Sequence, residues 1–126
     1  MRQSPYEMLG GEQGVRALAN AFYDAMDSLE DASQIRAMHG EDLGNIKEKL
    51  FEYLSGWLGG PALYREKYGT VCLTRPHAPY AIGERERDQW LACMERALRD
   101  VEAPEELRQA AKQAFFRIAE TVRNQA

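Results

Sequence analysis

His77 lies between two prolines, in the run Leu73-Thr74-Arg75-Pro76-His77-Ala78-Pro79-Tyr80. Each proline fixes its own φ and turns the preceding residue away from helical geometry, so the run is a stiff, irregular segment that can hold an imidazole in one direction. A neutral imidazole is a common protein ligand for a metal. The run therefore predicts that His77 is a metal ligand, and the alternative is an ordinary histidine of a surface turn.

Trp90 is the second residue that could do chemistry, in the charged run Glu86-Arg87-Asp88-Gln89-Trp90-Leu91. A side chain of this size needs a cavity or a core to fill, and its indole N–H can donate one hydrogen bond. Together with His77 it suggests a ligand pocket beside a metal. Simple helix packing is the other interpretation, and the two roles can coexist.

Helices must position these side chains. Apolar residues recur at three- and four-residue spacing over 12–26, 42–58, 83–101 and 104–122, which predicts four main amphipathic helices and an all-α fold. Short helices are expected at 5–9 and 62–67. Gly59-Gly60-Pro61 should end the second main helix, because glycine supplies a left-handed cap and proline prevents propagation. The long irregular segment around His77 needs a reason, and wrapping around a cofactor is one.

Length and charge limit the possible functions. The 126 residues predict a single domain, 1–126, that can bury a core and one cofactor. The formal net charge of -4 argues against a nucleic-acid partner. No apolar run approaches the ~20 residues of a membrane span, and no secretory core is recognisable, so the expected location is the cytoplasm. Cys72 and Cys93 form no Cys-x-x-Cys and are expected to be plain thiols.

Further segments complete the pattern, in order along the chain: Tyr6-Glu7-Met8-Leu9-Gly10-Gly11, Ala21-Phe22-Tyr23, Met38-His39-Gly40-Glu41-Asp42-Leu43, and Tyr53-Leu54-Ser55-Gly56-Trp57-Leu58-Gly59-Gly60-Pro61-Ala62-Leu63-Tyr64. With the His77 and Trp90 segments at this spacing, the chain resembles the group II truncated haemoglobins from end to end. The resemblance implies a truncated globin two-over-two helical sandwich around haem b. Because Cys-x-x-Cys-His is absent from the sequence, the haem would be held without covalent bonds.

The resemblance assigns roles to the two opening residues and to a tyrosine. His77 corresponds to the proximal iron ligand, which leaves the opposite face of the iron open for a ligand. Tyr23 corresponds to the distal tyrosine, whose hydroxyl donates to bound dioxygen, and without the family it would be an ordinary half-buried tyrosine. Trp90 corresponds to the tryptophan that marks group II, whose indole N–H can donate to the same ligand.

The resemblance also names three further distal positions. His39 corresponds to a corner position, where it would be a donor or a pH-sensitive group, and an exposed corner histidine is the alternative. Ile46 and Leu50 lie one helical turn apart and correspond to the two positions that face the iron. Both are apolar here, so the stabilisation of dioxygen must come mainly from Tyr23 and Trp90, with His39 as a further source.

Cations should meet the haem propionates at the mouth of the pocket. Lys49 matches a propionate-binding position of the family, and Tyr64 is a further candidate. Most relatives carry arginine immediately before the proximal histidine, where this chain has Pro76, and Arg75 is the expected substitute from a shifted backbone. The other expected haem contacts are Phe22, Tyr53, Leu54, Leu73, Tyr80, Ile82 and Met94.

The implied function is the binding of dioxygen, nitric oxide, carbon monoxide and similar small ligands. Donors such as Tyr23 and Trp90 should slow dioxygen release, which suits nitric oxide dioxygenase or peroxidase-like chemistry with a reductase partner better than bulk oxygen transport. An oxygen or nitric oxide sensor or store is the alternative among haem proteins. A helical interaction module without cofactor is the alternative from another class, and a visible absorption spectrum separates the two classes.

Overall fold

The computed structural model describes residues 4–39, 43–70, 77 and 80–125. The helices of these ranges account for most of the chain, and no strand occurs in them. They are α1 Pro5–Met8, α2 Gly11–Ser28, α3 Ser33–Ala37, α4 Gly44–Trp57, α5 Leu63–Tyr68, α6 Glu84–Asp100 and α7 Glu105–Val122, with a 3-10 turn over Glu30–Ala32. The predicted all-α class and the four main helices are confirmed.

Helix α2 is the centre of the core because its apolar residues follow the helical period. Val15, Leu18, Phe22 and Met26 are at most 2% exposed. Helix α2 packs along α6 and against α4, α6 packs along α7, and α4 packs along α5. The four main helices thus form two pairs, α2 with α4 and α6 with α7, that meet where α2 crosses α6.

The connection after α4 is closed against α1. Gly59 has φ 97°, the left-handed conformation expected of a glycine that ends a helix. A Cβ on Gly60 would lie 2.3 Å from the Tyr6 ring, so only glycine fits there. The Tyr6 N–H donates to the Leu58 carbonyl over 2.9 Å. These contacts fix the direction in which the chain leaves α4 and enters α5.

The corner between α2 and α4 is the part of the fold that the sequence analysis does not predict. The 3-10 turn and α3 are too short to show a helical period, and only Ala32 and Ile35 carry buried apolar side chains there. The corner matters because it leads to His39. Trp57, expected on the apolar face of its helix, is 36% exposed and stacks on Phe115 with ring centroids 4.6 Å apart.

None of the described helices is long and apolar enough to cross a membrane.

Candidate functional site

An aromatic cluster joins the two predicted donors. Phe22 packs edge-on against Tyr23 at 4.9 Å between ring centroids, and its ring is tilted by 56° against that of Trp90 at 5.3 Å. Phe22 is 0% exposed and Tyr23 is 5% exposed, while Trp90 is half-buried. Edge-on aromatic pairs are stabilised by the quadrupoles of the rings as well as by burial. Phe22 therefore holds Tyr23 from α2 and Trp90 from α6 on its two sides.

Burial keeps the Tyr23 hydroxyl in its protonated form. Desolvation raises the pKa of Tyr23 well above its usual range, and the nearby Cys93 raises it further. Burial likewise raises the pKa of the Cys93 thiol to about 11. Tyr23 is thus a neutral donor over the physiological range. Cys93 is a buried, protonated thiol, in agreement with the plain role predicted for it.

His39 lies against Tyr23 at the end of the corner. The two rings are 5.8 Å apart at 73°, and Nδ1 of His39 is 2.7 Å from the Ile35 carbonyl oxygen. A carbonyl oxygen only accepts, so this hydrogen bond puts the imidazole proton on Nδ1 and leaves the Nε2 lone pair for other partners. The Ile35 N–H in turn donates to Oε1 of Gln89, over 3.2 Å in a buried setting.

Gln89 is a site residue that the sequence analysis does not single out. It is 7% exposed, although its position in the charged run before Trp90 suggests a solvated side chain. A buried polar side chain must find a hydrogen-bond partner, and Gln89 finds it in the backbone of Ile35. Such a partner leaves no trace in sequence spacing.

Helix α4 contributes an apolar and aromatic wall. Ile46, Leu50 and Tyr53 pack against the core yet stay half-buried. Tyr53 meets Tyr64 of α5 edge-on at 5.8 Å, and burial, followed by the nearby Tyr64, raises the pKa of Tyr53. The two predicted positions facing the iron, Ile46 and Leu50, are therefore on the same wall as these tyrosines.

The predicted propionate contacts lie at the rim of this wall. The Lys49 ammonium is 5.9 Å from the ring centroid of Tyr68, and Tyr68 packs on Tyr64 with centroids 4.5 Å apart. Lys49 and Tyr68 are exposed, so the ammonium lies in solvent beside the tyrosines. Two other expected contacts, Leu73 and Arg75, lie outside the described residues.

The other expected haem contacts differ in burial. Next to the turn of His77, Tyr80 is 44% exposed and retains accessible surface, whereas Ile82 is buried, at 8% exposed. Phe22, Leu54 and Met94 are at most 1% exposed, because protein atoms already cover them.

His77 has helical backbone and is half-buried, between α5 and α6. Its carbonyl oxygen accepts a hydrogen bond of 3.0 Å from the Tyr80 N–H, which closes the turn that carries it.

The donor set and the helix packing fit a haem. In the part of the chain that the structure describes, no three His, Cys, Asp or Glu side chains form a group that could hold a bare metal ion. A lone histidine suits a metal that brings its other ligands with it, as haem iron does. Among the described elements, α4 is not packed closely against α6. These two helices carry half-buried apolar side chains, namely Ile46 and Leu50 on α4, and Trp90 and Leu91 on α6. A flat apolar ring with an anionic edge can use these apolar faces and the Lys49 rim.

Comparisons with known proteins agree with this geometry. The family model for bacterial-like globins matches residues 4–124. A curated relative, group 2 truncated hemoglobin YjbI from Bacillus subtilis (strain 168), is 32% identical over 106 residues, which make up 84% of this chain and 77% of that protein. The chain belongs to the group II truncated haemoglobins. Members of this family carry haem, usually of the b type, and bind diatomic ligands.

Two solved structures support the same membership. The cold-adapted truncated hemoglobin from Pseudoalteromonas haloplanktis TAC125 is 43% identical, with a TM-score of 0.94 over 98% of this chain and 100% of the other. The group II 2-on-2 hemoglobin from Agrobacterium tumefaciens is 40% identical, with a TM-score of 0.93 over 99% of this chain and 97% of the other. The predicted truncated globin two-over-two sandwich is confirmed for this group II chain.

Proposed function

We propose that His77 ligates the haem iron and that the protein carries out redox chemistry, with bound dioxygen as the oxidant of nitric oxide or with peroxide as the oxidant, and with a reductase as its electron source. The observation that supports this most directly is the aromatic cluster in which Phe22 contacts Tyr23 and Trp90, and Tyr23 contacts His39. Bound haem supplies the iron that takes up diatomic ligands and changes oxidation state. The protein supplies the hydrogen-bond donors to the ligand, the apolar walls of the pocket and the residues that contact the haem ring.

The distal donors should hold dioxygen tightly. Burial keeps Tyr23 protonated, so its hydroxyl has a proton to donate to a bound ligand. A hydrogen bond to a charged acceptor is worth about 1.5–3 kcal/mol, which slows release by roughly ten- to a hundredfold. A protein that releases dioxygen slowly cannot deliver it in bulk but has time to react with it. Redox chemistry is therefore the better use of this pocket.

The apolar side chains of α4 in the proposed pocket cannot stabilise bound dioxygen by hydrogen bonding. Ile46 and Leu50 cannot donate hydrogen bonds, so in the proposed pocket they exclude water and leave ligand stabilisation to Tyr23 and Trp90, while His39 lies against Tyr23 and orients it. Lys49 would hold a propionate by charge and Tyr64 by its hydroxyl. The proposed ring contacts are Tyr53, Tyr80, Ile82 and Leu73, with Arg75 near a propionate and with Phe22, Leu54 and Met94 as support behind them.

The test compares dioxygen release and nitric oxide consumption in matched variants. Tyr23→Phe and Trp90→Phe each remove one donor, and release should become about ten- to a hundredfold faster. The two effects need not add, because the donors share one acceptor. Tyr6→Phe is the control, since Tyr6 packs on Gly60 in the connection after α4. Nitric oxide consumption by the dioxygen-loaded protein, with a chemical reductant, should fall in the two pocket variants only.

Each rival has its own signature in this test. Release within about twofold of wild type in both pocket variants would show that the distal donors are misassigned. Tight dioxygen binding without nitric oxide or peroxide turnover would favour a sensor or store. A purified protein that takes up no haem and shows no visible haem band would support the alternative of a helical interaction module without cofactor.

A further inference from the structure

Asn124, just after α7, holds the backbone segment 80–82 through three hydrogen bonds. Its Oδ1 accepts from the Ile82 N–H over 2.9 Å, and its Nδ2 donates to the Tyr80 carbonyl over 2.7 Å. Its own backbone N–H donates to the Ile82 carbonyl over 2.8 Å. The Gln125 N–H donates to the same carbonyl over 2.9 Å. We call this set of contacts the Asn124 clamp.

The clamped segment connects the turn of His77 to α6. On one side, the Tyr80 N–H donates to the His77 carbonyl and closes the turn. On the other side, the Gly83 N–H donates to Glu86 Oε1 over 2.7 Å, where α6 begins. Any shift of residues 80–82 would therefore move the His77 turn relative to the helix that carries Trp90.

Ion pairs between α6 and the end of α7 hold the Asn124 clamp in place. Arg123 pairs with Glu120 over 2.8 Å and with Glu84 over 3.7 Å, and Arg87 pairs with the same Glu120. The Arg87–Glu120 and Arg123–Glu120 pairs join side chains that are 14–29% exposed, so solvent screens them less than an ordinary surface pair. Glu84 is 67% exposed, so its pair with Arg123 contributes less. These ion pairs thus fix the end of α7 to the start of α6. Asn124, which follows α7 directly, is held beside α6 as a result.

We propose that Asn124 is a positioning residue for His77, which fixes the direction of the imidazole toward the haem by holding residues 80–82. This inference rests on the proposed ligation of the iron by His77. An amide side chain accepts at its oxygen and donates at its nitrogen, and Asn124 does both here. The clamp therefore has a chemical requirement that neither a carboxylate nor an aliphatic side chain meets.

The test uses the haem-loaded protein as wild type, Asn124→Leu, Asn124→Asp and Asn20→Leu. Leucine removes both side-chain hydrogen bonds, while aspartate keeps the acceptor for Ile82 and loses the donor to Tyr80. Asn20 is exposed on α2 and serves as the matched control. One readout is the iron–histidine stretching band of the ferrous protein in resonance Raman spectra. The other is the rate of haem transfer to excess apomyoglobin.

We expect Asn124→Leu to shift or broaden the iron–histidine band, because the imidazole loses its fixed direction. Haem loss should become faster by about fivefold for each hydrogen bond removed, with Asn124→Asp between wild type and leucine. Asn20→Leu should match wild type in both readouts.

An unshifted band with haem loss within about twofold of wild type in both Asn124 variants would overturn the proposal. A lower unfolding temperature alone would not rescue it, since a purely structural role gives that result. If Asn124→Leu does not fold, the aspartate variant decides by the same two readouts. Failure of the proposed ligation is a separate result, in which the wild-type protein itself shows no iron–histidine band.

Discussion

Replacement of Gln89 by leucine should loosen the distal corner while leaving every proposed ligand donor in place. Oε1 of Gln89 accepts from the Ile35 N–H over 3.2 Å, and the Ile35 carbonyl oxygen lies 2.7 Å from Nδ1 of His39. Leucine is apolar and cannot accept a hydrogen bond. The Ile35 N–H then loses its partner in a buried setting, and the residue that holds His39 is less restrained.

The magnitude follows from the burial. A buried donor that loses its partner costs about 1–3 kcal/mol of the free energy of unfolding. For 126 residues the entropy of unfolding corresponds to a fall of about 4 °C in melting temperature for each kcal/mol. Leucine recovers part of the loss through apolar burial at this 7% exposed position. We therefore expect the lower half of the range, a decrease of about 4–8 °C.

The assay pairs thermal unfolding with stopped-flow dioxygen release on haem-loaded protein. Gln89→Leu should be less stable and should release dioxygen faster, because His39 is no longer held against Tyr23. Gln13→Leu, an exposed position on α2, should change neither quantity. The reasoning is refuted if Gln89→Leu has the same melting temperature as Gln13→Leu and releases dioxygen at the wild-type rate.

Three further predictions test other contacts. His77→Gly should lose haem or need added imidazole to retain it, and a wild-type ferrous spectrum in that variant would contradict the ligation. His39→Phe should alter the ferric spectrum of the haem-loaded protein, because phenylalanine keeps a ring against Tyr23 but loses the hydrogen bond to the Ile35 carbonyl oxygen and the Nε2 atom. An unchanged spectrum would contradict a role for His39 in the pocket. The raised pKa of Cys93, about 11 against 9.0, stabilises the folded protein below pH 9. That contribution, about 2–3 kcal/mol at most, should disappear as pH rises to 11, so Cys93→Ala should show a flatter loss of unfolding free energy over this range.

Periodicity explains which elements could be predicted from the sequence. The faces of α2, α4, α6 and α7 run over several turns, so their apolar spacing alone indicates helix. The corner gives no such signal, because the 3-10 turn and α3 bury only a few side chains. Its position depends on the tertiary hydrogen bond from Ile35 to Gln89. Short elements of this kind form where the rest of the fold holds them.

The site divides in the same way. Side chains that carry chemistry, such as His77, Tyr23 and Trp90, stand out by type and by resemblance to a family. The proximity of Tyr23 to Trp90 depends on Phe22, a residue that the sequence pattern indicates only as ordinary core. The family pattern thus identifies the candidates, while the packing of α2 on α6 brings Tyr23 and Trp90 together.

Gln89 and Asn124 have a common physical feature that hides them from sequence analysis. Each is a polar side chain whose partner is backbone: the Ile35 N–H for Gln89, and groups of Tyr80 and Ile82 for Asn124. Every residue except proline offers the same backbone donor and acceptor, so such a partner has no residue type to search for. One contact holds the corner that carries His39, and the other holds the segment next to His77. Gln89 lies on α6, and Asn124 holds the segment that leads into α6. The helix that carries Trp90 therefore also connects the distal side of the proposed pocket to its proximal side.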